Sequence, residues 1–164
     1  MKKLITLLTS YALAIFIGTT GFAQTLDQSQ LINNNSAITC GVGGYNIGQS
    51  FKCGLSGALS TIKIDVKQIT TGGNFTLKIY NGAGTGGTLL NGSGQIVSIT
   101  APGLNAFTLS PTVNVVSGSD YKFELTKTTT EEILLWENSS NPYPNGDEYF
   151  NGIENQITIQ IKNN

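Results

Sequence analysis

The 164-residue chain contains no histidine, and all nine of its basic residues are lysine, so arginine is absent too. The first absence removes the imidazole base of a Ser or Cys triad, a common zinc ligand, and the one side chain that titrates near neutrality at its unperturbed pKa. The second removes the planar fork that grips carboxylate, phosphate or guanine in bidentate fashion. Charge of either sign is sparse, at 12% of residues with a formal net charge of −1. Nucleic acid demands a concentrated basic surface, so it is not an expected partner. These absences leave little for catalysis, and the chain reads as a protein that is not an enzyme.

What is present begins with a leader. Lys2 and Lys3 precede an apolar stretch over residues 4–17, and Gly21-Phe22-Ala23 offers small residues at a cleavage site. This is the pattern of a secretory signal peptide over residues 1–23, cut after Ala23. Thr6, Thr9 and Ser10 interrupt the apolar stretch, which falls short of the roughly 20 residues of a spanning helix. The mature chain is therefore expected to have no membrane span and to be secreted, or held in the periplasm or at the cell surface. Loss of Lys2 and Lys3 leaves 141 residues with seven Lys against ten acids, a net charge of −3. That length suits a single domain, 24–164. Export makes a Cys40–Cys53 disulfide the default expectation, stabilising by roughly 3 kcal/mol through loop closure.

Beyond the leader, short apolar runs alternate with Gly, Asn, Ser and Thr, and no window carries a helical stripe. Over residues 59–69, Ile62, Ile64 and Val66 alternate with Lys63, Asp65 and Lys67, the signature of a strand with one buried and one wet face. Phe75, Leu77 and Ile79 repeat it against Thr76, Lys78 and Tyr80. Tyr121, Phe123 and Leu125 do so against Lys122 and Glu124, and Ile157, Ile159 and Ile161 against Thr158, Gln160 and Lys162. Shorter apolar runs at 96–99, 107–109, 113–116 and 133–136 lie between turn signals at Pro102-Gly103, Ser110-Pro111 and Gly118-Ser119-Asp120. The expected fold is all-β: a single antiparallel β-sandwich, jelly-roll-like, of about eight or nine strands. Residues 24–47 read as an irregular or edge-strand lead-in in which Leu26 and Leu31 pack.

Further motifs recur in order: Leu26-Asp27-Gln28-Ser29, Ile47-Gly48-Gln49-Ser50-Phe51, Gly54-Leu55-Ser56-Gly57-Ala58-Leu59, Leu77-Lys78-Ile79-Tyr80-Asn81-Gly82 and Gly86-Gly87-Thr88-Leu89-Leu90, then Val113-Asn114-Val115, Gly118, Tyr121 and residues 136–152. As a set they resemble a widespread class of bacterial secreted β-sandwich modules. The resemblance covers nearly the whole mature chain, implies the sandwich fold and implies a carbohydrate-binding or adhesive role. It brings no catalytic residues with it.

The most unusual stretch is residues 136–152, which holds the single Trp, two Tyr, two of the four Pro and three acids. Aromatic planes can meet the apolar faces of pyranose rings while amides and carboxylates bond their hydroxyls. Trp136, Asn141, Tyr143, Asp147 and Tyr149 are the candidate ligand-binding residues. The competing reading has Trp136 ending a core strand and Tyr149 and Phe150 starting another, with Asn-Pro and Asn-Gly merely turning the chain. No cofactor is expected. Asp147, Glu148 and backbone carbonyls offer oxygen ligands to Ca²⁺, without the Asp-x-Asp-x-Asp spacing of a dedicated loop. Gly82-x-Gly84-x-x-Gly87 comes after a strand, but Gly92 interrupts the segment where a helix would have to start, so it reads as a turn and not as a pyrophosphate cradle. Glu131, Glu132, Glu137, Asp147 and Glu148 are the candidates for a facing carboxylate pair, although neighbours in a strand point to opposite faces.

Two functions are compatible with these features. The leading one is a secreted, non-catalytic module that binds extracellular carbohydrate or another cell-surface component. The alternative is a structural or adhesion protein of the envelope or matrix that self-associates, since low charge does little to block edge pairing.

Overall fold

The computed structural model describes residues 25–41, 46–84, 86–151, 153–155, 158–159 and 161–163; the leader and Ile157 lie outside these residues. Thirteen strand segments and no helix are found among the described residues: β1 (Gln28–Gln30), β2 (Ser36–Cys40), β3 (Ile47–Lys52), β4 (Gly57–Thr71), β5 (Gly73–Asn81), β6 (Gln95–Ile99), β7 (Gly103–Val115), β8 (Asp120–Lys127), β9 (Glu132–Asn138), β10 (Glu148–Phe150), β11 (Ile153–Asn155), β12 (Thr158–Ile159) and β13 (Ile161–Asn163). One sheet runs β1-β13-β4-β9-β12, with β2 on β9 and β7 on β4; the other runs β11-β10-β3-β8-β5-β6. Every pairing is antiparallel. The protein is an all-β sandwich. The segments outnumber the eight or nine expected because several hold only two or three residues.

Period-two alternation builds the core. Ile62, Ile64 and Val66 of β4 meet Phe75, Leu77 and Ile79 of β5 and Tyr121, Phe123 and Leu125 of β8 in one buried cluster, joined by Ile38, Cys40, Ile133 and Leu135. The register of β4 against β7 shifts between Leu59 and Thr61, so Leu59 and Ile62 both face inward. Such a bulge changes which parity of residues is buried.

The structure corrects several details. Ser110-Pro111 is not a turn: the chain continues through it with a cis peptide bond, and the two expected short strands are the single 13-residue β7. Leu26 and Leu31 are exposed, whereas β2, which the lead-in also contains, pairs along its whole length with β9. Lys122 and Glu124 lie on the outer face of β8 yet are buried. The Lys122 ammonium sits 4.8 Å from the centre of the Tyr80 ring and 5.0 Å from that of Tyr149, and 3.9 Å from a Glu124 carboxylate oxygen. Aromatic faces replace water around this cation, and its burial lowers the ammonium pKa against the opposing pull of Glu124.

The expected disulfide is not formed: Cys40 and Cys53 are both free and buried. The Cys40 thiol points at the Leu125 carbonyl, 3.8 Å away, and Leu125 pairs with Ile47 at the start of β3. Cys53 comes directly after the last residue of β3. Six extended residues at about 3.3 Å each carry it roughly 20 Å along the sheet, whereas a disulfide needs Cα atoms within about 7 Å.

Candidate functional site

The long connection after β9 is ordered by its own polar side chains. Asn138 accepts the Ser140 amide at 3.0 Å, and Asn141 takes a left-handed conformation at φ 44°. Left-handed backbone is tolerated by Asn better than by most residues. The chain then continues the edge of β3: Lys52 N donates to Asn145 O at 3.0 Å, Ser50 N to Asp147 O at 2.9 Å, and Asp147 N to the Ser50 hydroxyl at 2.8 Å. Gly146 permits this approach, because a Cβ there would lie 1.9 Å from the Ser50 carbonyl oxygen.

The Gly-rich turn after β5 comes to the same end of the sandwich. Gly82 N donates to Asp120 O at 2.7 Å, and Asn81 N to Thr88 O at 2.9 Å. Gly82 has φ 85°, as a turn glycine should. Lys52 bridges to Asp120 at 2.8 Å and donates to Gly118 O at 3.3 Å. Between turn and loop lies an open depression of about 230 Å³, lined by Ser50, Lys52, Ala83, Asp120, Asn145 and Asp147 among others. Its walls present the Lys52 ammonium, the Asn145 amide and the Asp120 and Asp147 carboxylates, while the buried Ser50 hydroxyl is taken up by the Asp147 backbone; such a set suits a hydroxyl-rich polar ligand.

The sequence-predicted residues do not form one site. Only Asp147 lines the depression, and Asn141 supports it by donating to its carboxylate at 3.3 Å. Tyr143 is 7% exposed and belongs to the core, its hydroxyl donating to Gln28 Oε1 at 3.1 Å. Burial pushes its phenol up to about 12. Tyr149 is 2% exposed, opposite Gly48 and under the Lys122 ammonium. Neither ring presents an open face to solvent. Trp136 is half-buried on β9, with the Lys67 ammonium 4.4 Å above its ring.

Three other candidate carboxylates, Glu131, Glu137 and Glu148, are held within the fold. Glu131 accepts from the amides and hydroxyls of Thr128 and Thr129 and caps the β8–β9 connection. Those bonds, led by the one from the Thr129 amide, hold its pKa down at about 2. Glu137 accepts from the Ser36 hydroxyl, and Glu148 is fully buried opposite Gln49 in register. Among the described residues no three Cys, Asp or Glu side chains gather into a cation cage.

Sequence reasoning missed Ser50, Lys52, Ala83, Asp120 and Asn145. Ser50 and Lys52 lie on β3, the β3–β8 pairing sets Asp120 opposite Lys52, the docked loop brings Asn145 and the turn bonded to Asp120 brings Ala83, so no spacing along the chain announces them. The chain matches no protein-family model and no curated protein.

Proposed function

We propose that the protein is an exported, non-catalytic β-sandwich module, like the bacterial secreted modules it resembles, that binds extracellular carbohydrate or another cell-surface component. The observation that supports this best is the depression where the 139–147 loop and the Gly-rich turn meet beside β3. Ser50 and Asp147 are fixed there by mutual hydrogen bonds, and the exposed Lys52–Asp120 pair stands at the rim. Prearranged acceptors and donors lower the ordering cost of binding a polyol. The leader-like residues 1–23 and the lack of His support an exported, non-enzymatic role. A glycan array probed with the wild type, Asp147→Ala, Asp120→Asn and Trp136→Ala tests the reading. Binding lost in the two Asp variants and kept in Trp136→Ala is the expected result. No binding by the wild type, or equal binding by all four proteins, removes the depression as the site.

A further inference from the structure

From residue 79 to residue 119 the chain carries no Asp, Glu, Lys, Arg or His. This stretch supplies one edge of each sheet. β6 ends the second sheet, and no strand among the described residues lies outside β7 in the first. Natural sheet edges are usually guarded by charge, above all by Lys. Here the guards are uncharged and local: the Gln95 amide donates to Thr108 O at 2.8 Å and accepts from Ser110 N at 2.9 Å, and Pro111 is next in the chain. They lie against the middle of β7, and among the described residues no strand pairs with the outer edge of β6. Ile96 on β6 and Leu104 on β7 are 58% and 48% exposed.

The pairing of β6 determines which of its groups are open. Leu77 and Ile79 aim their backbone groups at this flank, where Asn91 and Leu90 meet them. In the register Leu77↔Gln95, Phe75↔Val97 and Gly73↔Ile99, the groups of Gln95, Val97 and Ile99 therefore face β5. Those of Ile96 and Ser98 face outward.

We propose that a second copy of the chain adds at this edge, β6 against β6 about a two-fold axis, so that Ile96 of each copy exchanges backbone hydrogen bonds with Ser98 of the other. A two-fold interface sets a patch against itself, so any charge near the axis meets its own like. The strands β4, β5, β8 and β9 all carry Lys or acids, whereas β6 and β7 carry neither. This flank is thus suited to self-pairing, and it offers a charged peptide nothing to bind. The joined copies form one continuous sheet, with the Ile96 side chains diagonal neighbours across the axis.

The test uses protein expressed as the whole chain and recovered after export, then sedimentation equilibrium across a wide concentration range. Ile96→Lys places like charges across the axis. Ser98→Pro removes an outward N–H that β5 does not use, a substitution edges tolerate. Both variants are expected to raise the dimer Kd by at least about tenfold, while Leu55→Lys, an exposed change elsewhere, leaves it unaltered. Ile96→Lys should keep the far-UV circular dichroism of the wild type; if either variant misfolds, the other decides. A wild type that is monomeric throughout, or a folded variant with an unchanged dimer Kd, overturns the proposal.

Discussion

Glu131 shows how much one carboxylate can organise in a chain this poor in charge. It accepts the Thr128 and Thr129 amides at 3.2 and 2.6 Å and their hydroxyls at 2.9 and 3.1 Å, and its Cγ would collide with any Cβ at Gly73. These bonds favour the ionised form and hold its pKa at about 2, against an ordinary 4.5. As pH falls, the unfolded chain therefore takes up this proton first. The stability the ionised group adds is complete above 4.5 and is lost as pH drops through that window towards 2. Glu131→Gln should lower the urea midpoint at neutral pH and flatten the acid limb of stability. The gap between variant and wild type should close over the same pH interval. A gap that persists unchanged down to the bottom of that interval would show that the carboxylate's charge is not what ties the connection.

At the scale of elements, single amides finish ladders that strands leave incomplete. Asn91 lies just before β6 and does for β5 what another strand residue would, accepting from Ile79 N and donating to Leu77 O, both at 2.9 Å. Asn91→Ala strands a buried donor and a buried acceptor, which predicts a loss of about 2–4 kcal/mol in chemical denaturation. Exposed Asn74→Ala should cost under about 0.5 kcal/mol. No periodicity marks Asn91, because its role depends on where β6 begins. The strands themselves were legible: Ile62-Ile64-Val66 and Phe75-Leu77-Ile79 announce β4 and β5 because alternate burial is written directly in side-chain type. Tyr149 and Phe150 fall on β10, as the competing reading had it, but the inward turn of Tyr143 was not legible. The same ring serves a sugar or a core, and only the docking of residues 145–147 on β3 decides that Tyr143 turns inward. The cysteines mislead for a similar reason, since closeness along the chain says nothing about which way β3 carries one of them. Ellman's reagent should find no reactive thiol in the folded protein and two on unfolding. Burial slows the reaction further by pushing Cys40 up to about 12 and Cys53, with help from Asp27, up to about 11.

For the whole molecule, the distribution of charge matters more than its small sum. Lys and acids are confined to the chain before residue 79 and after residue 119, so one flank of the sandwich is neutral while the rest of the surface is mixed. A neutral flank should associate through backbone hydrogen bonds and apolar contact, neither of which depends on screening. The β6-paired dimer should accordingly keep its Kd within about twofold between roughly 0.05 and 0.5 M sodium chloride, although the Debye length falls several-fold over that range. Sulfate should tighten it, because excluded salts favour apolar burial. The alternative is a dimer held by surface ion pairs on the mixed faces, where Lys52 and Asp120 already stand exposed. Exposed pairs contribute at most about 1 kcal/mol each and weaken with screening, so that dimer would dissociate as sodium chloride rose. Sedimentation equilibrium across the salt series separates the two: a Kd that climbs steadily with sodium chloride would place the contact on the charged faces and away from β6.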